Sequence, residues 1–531
     1  MLSLSAENGL IHVNDSAPAE CKADRSQDGH CVTRVTDASN GDADHAITVT
    51  TGISRKMHQA LNRRNLLITA TATTALLGIS RFPAAAAPAT QPTRLIVDRR
   101  TIEVDGRAAS VFGIRQPDGV PGVVLGPDQP FSVSVANRSG EVTIVHWHGQ
   151  TPPFLQDGVA ETGGVVIETG TEQVYNFAAR PGTHWMHSHH GLQEQALMAA
   201  PLIVRTAEDL RADMQEVTVL LHDFSFRDPT EVLAAIAGPT KAAGGPVAMP
   251  GMVMAPSNAG PDLNDFDYDA YLANDRTLTD PLVVRAAGGT RVRLRLINGA
   301  TSTAFWIDTG ALDGTVVAAD GNMVQPVSDR RFPLAQGQRL DVVVTIPKDG
   351  GAFPILAQRE GDRRRTGIVL ASAGAAIGKL SGTADTIVPA IDNSLERRLL
   401  ALAPLVGSPA RITHKVTLTG SMTPYIWSID DRTWANHAPL RITKGRRVVI
   451  EMTNRSQMAH PMHLHGHHFQ VVALDGAPLL GAVRDTVLVP AKGSVTVAFD
   501  ADNPGRWLFH CHNLFHMATG MMTELAYDDV A

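Results

Sequence analysis

From residue 92 onward, apolar and polar positions alternate in short runs, and no sustained helical period competes with them. Val142-Thr143-Ile144, Val292-Arg293-Leu294-Arg295-Leu296 and Val495-Thr496-Val497-Ala498-Phe499 are typical. Every second side chain of an extended backbone falls on one face, so each run predicts a strand with one face toward a core. Gly and Pro turns separate the runs. Many short strands closed off by regular turns predict an all-β chain of sandwiches or barrels.

The pattern also repeats. The stretch from Asn137 reads NRSGEVTIVHWHG and the one from Asn454 reads NRSQMAHPMHLHG, with the same spacing from Asn to HxHG. A third copy from Asn298, NGATSTAFWIDTG, ends on Gly310 in register but holds Ile307 and Thr309 where the others hold histidine. A second block behaves alike: Pro181-Gly182 leads to His187-Ser188-His189 by the step that takes Pro504-Gly505 to His510-Cys511-His512. In the middle copy that step runs from Gly351 to Leu356-Ala357-Gln358. One unit used three times predicts three homologous β-domains, at 92–208, 209–378 and 379–531. If the histidines of the first and third copies share a site, those two domains must touch. The middle one is then a spacer and a wall of the substrate site.

The chain ahead of residue 92 reads differently. Residues 1–56 are polar, without sustained period, and are read as a disordered leader, or one never translated if synthesis begins at Met57. Residues 57–91 carry Asn62-Arg63-Arg64-Asn65, an apolar run from Leu66 to Ser80, and Ala84-Ala85-Ala86-Ala87-Pro88. Charged, apolar and small residues in that order make an export signal. The paired arginines give it the twin-arginine form, whose machinery exports folded, cofactor-loaded proteins to the periplasm or beyond. The run is too short and too rich in Thr and Ala for a comfortable membrane anchor, so the mature form is expected free of the membrane. The length of 531 residues suits about three domains, and a net charge of −7 offers no basic surface to nucleic acid.

Histidine changes the picture. Two-thirds of the 21 histidines fall in four short clusters, and clustering asks for a metal. His146 with His148, His187 with His189, His463 with His465, and His510 with His512 each share a strand face. Eight imidazoles in four pairs can satisfy three metal ions and leave room for a small ligand. Cys21 and Cys31 lie in the segment expected to be lost, leaving Cys511 as the one cysteine of the mature chain, with no internal disulfide. Between His510 and His512, its thiol must leave by the opposite face and find its own partners, and His460, His516 and Met521 are available. One thiolate, two imidazoles and a weak thioether form the ligand set of a blue-copper site. Structural zinc would want more thiolates and a closed tetrahedron.

These motifs resemble those of the multicopper oxidase family, laccases and bacterial cuprous oxidases among them: HWHG at 146–149, HSHHG at 187–191, HPMHLHGH at 460–467 and HCHNLFHMATGM at 510–521. The resemblance spans nearly all of 92–531 and implies three Greek-key cupredoxin domains with a trinuclear site between the first and third. It implies four copper ions: type 1 on His460, Cys511, His516 and axial Met521; type 2 on His146 and His463; one type 3 on His148, His187 and His512; the other on His189, His465 and His510. The implied reaction takes single electrons from a small-molecule or metal-ion donor and reduces O2 to water. Met521 as a weak axial ligand favours electron-rich phenols, aromatic amines or low-valent metal ions as donors. Asp157 falls where the family places a carboxylate that helps deliver protons; as half of an Asp-Gly pair it is also an ordinary turn residue. Where bacterial relatives carry a glutamate after the His516 position, this chain has Met517.

Competing readings are weaker. A copper nitrite reductase lacks the full set of eight cluster histidines, and a copper store needs no path between Cys511 and them. Cuprous oxidation for copper resistance stays open, since Met249, Met252 and Met254 are soft donors, although a plain loop is the preferred reading there. The acidic stretch from Asp262 to Asp269 is read as a solvated loop, His184, His190, His467 and His468 as surface or supporting residues, and His222-Asp223 as structural.

Overall fold

A computed structural model of the chain describes residues 91–238, 263–407 and 411–530. The leader, the arginine pair and apolar run of the export signal, and Met249, Met252 and Met254 lie outside the described residues. Among the described residues no helix is long and apolar enough to cross a membrane.

The alternating runs form strands, and the strands form three pairs of sheets. Two four-stranded sheets at 93–204 enclose a core that includes Leu95, Phe131, Val133, Trp147, Met186 and Leu202. A six-stranded and a five-stranded sheet make the middle pair at 215–371, and a seven-stranded and a five-stranded sheet the third at 411–527. Each pair follows one plan. In the first sheet the opening strand runs parallel to the strand that ends on the repeat's asparagine: Thr93–Val104 beside Phe131–Asn137, Gln215–Phe224 beside Arg291–Asn298, Arg411–Met422 beside Arg447–Asn454. In the second sheet, Val123–Leu125, Val283–Arg285 and Leu440–Ile442 run parallel to the closing strands Ala199–Val204, Arg365–Ala371 and Met522–Tyr527. Parallel partners need crossovers, so the chain passes from sheet to sheet in Greek-key fashion. Residues 372–407 link the middle and third pairs, with isolated bridges from Val324 to Ala401 and from Leu400 to Gly481.

The repeated asparagine shows why the chain can change sheets there. Asn137 Nδ2 donates to the carbonyls of Glu141 and Ile167, Asn298 Nδ2 to Thr303 and Leu334, and Asn454 Nδ2 to Met458 and Val489. In each copy Oδ1 accepts the backbone N–H two residues on. A buried chain between two sheets has unpaired backbone groups, and this side-chain amide satisfies them.

The glycine closing each copy is equally constrained. Gly149, Gly310 and Gly466 have φ of 86°, 61° and 64°, the left-handed region that glycine enters without strain. A Cβ at Gly466 would also lie 2.2 Å from the Trp507 ring. Gly466→Ala is expected to cost about 2 kcal/mol or more, from left-handed backbone and overpacking together. An unchanged urea midpoint would reject this.

Cross-strand register aligns the copies. His146 sits opposite His187 and His463 opposite His510, while in the middle pair Ile307 sits opposite Ala357. The middle block is therefore 357–359, one residue beyond the Leu356 start obtained by counting from Gly351. Ladder pairing fixes register, and distance from a turn does not.

Candidate metal centres

Each histidine pair sits where a strand of the second sheet runs out. His146, His187, His463 and His510 lie in the final residues of their strands, and His148, His189, His465 and His512 lie just past the ends. The shared-face expectation thus applies to strand ends, where the chain is already bending, yet the rings still converge. Paired ring centroids are 5.8 Å apart for His146 and His148 and 4.7 Å for His463 and His465. Rings from the first and third pairs of sheets interleave: His146 is 3.9 Å from His465, and His148 stacks on His463 at 3.8 Å.

The three ligand sets predicted for the trinuclear site are each brought together. His189, His465 and His510 form one group whose ligand atoms lie within 4.8 Å of one another. His148, His187 and His512 have centroids 5.0 to 5.7 Å apart, and His146 and His463 are 5.8 Å apart. The nitrogens test whether a metal fits. His146 Nδ1 faces the Asp157 carbonyl at 2.9 Å, His463 Nδ1 the Asp485 carbonyl at 2.9 Å, and His510 Nδ1 the Cys511 carbonyl at 2.9 Å. Their opposite faces look inward, and Nε2 of His146, His187, His189 and His463, Nδ1 of His148 and both nitrogens of His512 are buried with no hydrogen-bond partner. Burial, then the neighbouring imidazoles, push the His187, His189, His465 and His512 rings well below the usual histidine range, so they are neutral, as metal ligation requires. Orphaned lone pairs converging from tethered neutral rings are a fit for bound metal ions.

Cys511 opens on the other side of its strand. Its Sγ lies 3.6 Å from Nδ1 of both His460 and His516, and those two nitrogens are 3.1 Å apart. Their outer nitrogens are tied, His460 Nε2 to Ser456 Oγ at 2.7 Å and His516 Nε2 to Asp265 Oδ1 at 3.3 Å. Asn513 caps the short helix Leu514–Ala518, which carries His516 back over the thiol. Met521 is buried beside them, its carbonyl accepting from the Cys511 N–H and its own N–H bonded to the His516 carbonyl. Burial raises the thiol above its usual range, so a thiolate here needs a cation at hand.

Asp157 is fully buried, with Oδ2 2.8 Å from His465 Nδ1 and Oδ1 making no hydrogen bond, 3.4 Å from His146 Nδ1. Three carboxylates escaped the sequence reading. Asp485 reaches His148 Nε2 at 3.0 Å; burial would raise its carboxyl, but Arg339 and His148 hold it well below the usual range. Glu194 lies 2.8 Å from His187 Nδ1 and is pushed up by burial to about 8. Asp265 belongs to the stretch read as solvated, yet its side chain is fully buried among His516, Tyr425 and Asn513. The next acids of that stretch, Asp267 and Asp269, are exposed, Asp267 at 82%. His184 and His467 are likewise buried, bonded to the Pro181 carbonyl and the Tyr527 hydroxyl, so neither is a surface residue. His222 and Asp223 are structural: Nδ1 meets the Gly299 carbonyl and the carboxylate accepts from Thr301 and Ser302.

Three family models, each described as Multicopper oxidase, match residues 97–209, 216–377 and 408–530. Multicopper oxidase MmcO of Mycobacterium tuberculosis is 34% identical over 408 residues, covering 74% of this chain and 79% of the relative. Copper resistance protein A of Escherichia coli is 26% identical, covering 77% and 88%, and Laccase-2 of Botryotinia fuckeliana is 26% identical, covering 81% of each. Among solved structures, the iron-import multicopper oxidase Fet3p superposes with a TM-score of 0.68 at 19% identity, covering 82% of this chain and 90% of that one.

Proposed function

This chain belongs to the multicopper oxidase family, and from that membership we propose how its own residues carry the chemistry. It is a copper-dependent oxidoreductase with O2 as acceptor, and its cofactors are one type 1, one type 2 and two type 3 copper ions. Bound copper supplies one-electron oxidation of a reducing donor and four-electron reduction of O2 to water.

The assignment proposed is type 1 on His460, Cys511, His516 and Met521, and type 2 on His146 and His463. The type 3 pair takes His148, His187 and His512 on one ion and His189, His465 and His510 on the other. One observation carries it: Cys511 faces His460 and His516 while its chain neighbour His510 faces His465, at 2.9 Å. A single covalent segment thereby joins two ligand sets on opposite faces. Ser456 and Asp265 orient the type 1 imidazoles, and the Asp157 and Asp485 carbonyls do so for the type 2 pair. Asp157 moves protons at its free oxygen. The three pairs of sheets act as domains near 92–208, 209–378 and 379–531, and residues 57–91 direct twin-arginine export to the periplasm or outside.

Electrons enter at the His516 edge, whose Nε2 meets Asp265. The donors proposed are electron-rich phenols, aromatic amines or low-valent metal ions. Similarity to proteins named copper resistance protein A favours cuprous ion as a second reading. The copper-loaded protein is expected to be blue, to hold about four coppers per chain, and to consume O2 with an electron-rich phenol without releasing peroxide. A colourless protein, or one that reduces nitrite but not O2, would overturn the assignment.

A further inference from the structure

The middle pair of sheets supplies none of the proposed copper ligands, yet it reaches the multi-histidine site through the loop before Arg339. Gly337 packs so closely that a Cβ on it would lie 2.7 Å from the His512 ring and 3.2 Å from His148. Two residues on, at the start of the strand Arg339–Thr345, Arg339 is completely buried. Its Nη1 and Nη2 donate to Asp485 Oδ1 and Oδ2 at 2.7 and 2.5 Å, its Nη1 also to the Gly337 carbonyl at 2.9 Å, and its Nε to the Thr183 carbonyl at 3.2 Å. Asp485 comes from the third pair, and its Oδ1 lies 3.0 Å from Nε2 of His148, a residue of the first. Three units therefore meet at one bidentate ion pair.

We propose that Arg339 is a positioning residue for the trinuclear site, holding Asp485 so that His148 turns Nδ1, and not Nε2, toward the metal. A guanidinium has only donors, so the fork fixes both Asp485 oxygens as acceptors and sets the plane of the carboxylate. His148 Nε2 must then carry the hydrogen. A neutral imidazole with its hydrogen on one nitrogen keeps its lone pair on the other, and Nδ1 is the buried nitrogen left without a partner. Thr486 Oγ1, 3.2 Å from the same Nε2, donates to Asp485 Oδ1 at 2.9 Å and so strengthens the choice. The Asp485 main-chain carbonyl does the same for His463, accepting from Nδ1 and leaving Nε2 without a partner. One residue thus sets the ring orientation of a type 2 and a type 3 ligand from different units, and the middle unit, which supplies none of the proposed ligands, holds that residue in place. The inference rests on the copper assignment above.

The test compares copper-loaded wild type with Arg339→Met, Arg339→Lys and the double change Arg339→Met with Asp485→Leu. Arg339→Met is expected to keep its blue colour while the trinuclear coppers become about 10–100-fold easier to remove with a chelator. Its type 2 electron paramagnetic resonance signal should shift, and lysine, which keeps one charged contact, should recover part of both effects. If bare Asp485 prevents Arg339→Met from folding, the double variant removes that charge and should show the same loss. A strut with no part in ligand orientation would lower the melting temperature and leave resonance and copper retention per folded chain unchanged. That result, in either folded variant, overturns the proposal. A wild type lacking the blue colour and the type 2 signal would instead defeat the copper assignment beneath it.

Discussion

Cys511→Ser is expected to give a colourless protein that holds one copper fewer per chain and turns over roughly 10³-fold more slowly or worse, the scale of losing an essential catalytic group. The thiol is fully buried, sits 3.6 Å from both Nδ1 atoms, and is the only cysteine among the described residues. Serine preserves the shape but offers a hard, neutral hydroxyl where a soft thiolate is required. The loss should be confined to one face of the strand. His510 and His512 keep their backbone, and His510 Nδ1 still bonds the residue 511 carbonyl, because that contact uses main chain only. The trinuclear ions are therefore expected to stay bound, with their type 2 resonance intact. Blue colour in the variant, or O2 uptake near the wild-type rate, would show that electrons enter elsewhere.

That division was legible in the sequence because it needs only strand alternation. The thiol and its two flanking imidazoles must diverge wherever the segment is extended, and Arg506–Cys511 is a strand. The repeat was legible for a similar reason: Asn137, Asn298 and Asn454 do the same hydrogen-bonding work in each copy, so spacing alone aligned them. Counting failed at Leu356, where pairing with the strand Phe305–Asp308 sets the register and the distance from Gly351 does not. The supporting carboxylates were illegible on other grounds. Asp485 is 337 residues from His148, and nothing local to Arg484-Asp485-Thr486 announces a partner in another unit. Asp265 stands among exposed acids, and only the return of Asn513, Tyr425 and His516 over it turns one member of an acidic run into a buried acceptor. Long-range closure decides such cases, and a linear pattern carries no trace of it.

Asp157→Asn should separate proton supply from copper binding. The residue follows the turn Phe154–Gln156, and Gly158 after it is packed so tightly that a Cβ there would lie 1.8 Å from the Val145 carbonyl. The Asp-Gly pair is thus both the turn that a bland reading expects and the device that presses a carboxylate onto the site. Two of its three oxygens are committed, the carbonyl to His146 Nδ1 at 2.9 Å and Oδ2 to His465 Nδ1 at 2.8 Å. Oδ1 is buried and makes no hydrogen bond, its neighbour His146 Nδ1 standing off at 3.4 Å, and it is the oxygen proposed to take up and release a proton. Asparagine keeps the main-chain contact, and its amide oxygen can still accept from His465, so both rings stay oriented and all coppers should remain. What it removes is the oxygen proposed to carry the proton, a role worth about 10²–10⁴ in rate. Turnover is expected to fall by about that factor, with blue colour and copper content unchanged and a larger solvent isotope effect. Asp157→Glu keeps a carboxyl one methylene further out and should recover part of the rate. An asparagine variant that works within about threefold of wild type would place proton delivery outside this turn, whereas one that also sheds copper would make Asp157 a support for His146 and His465 rather than their proton source.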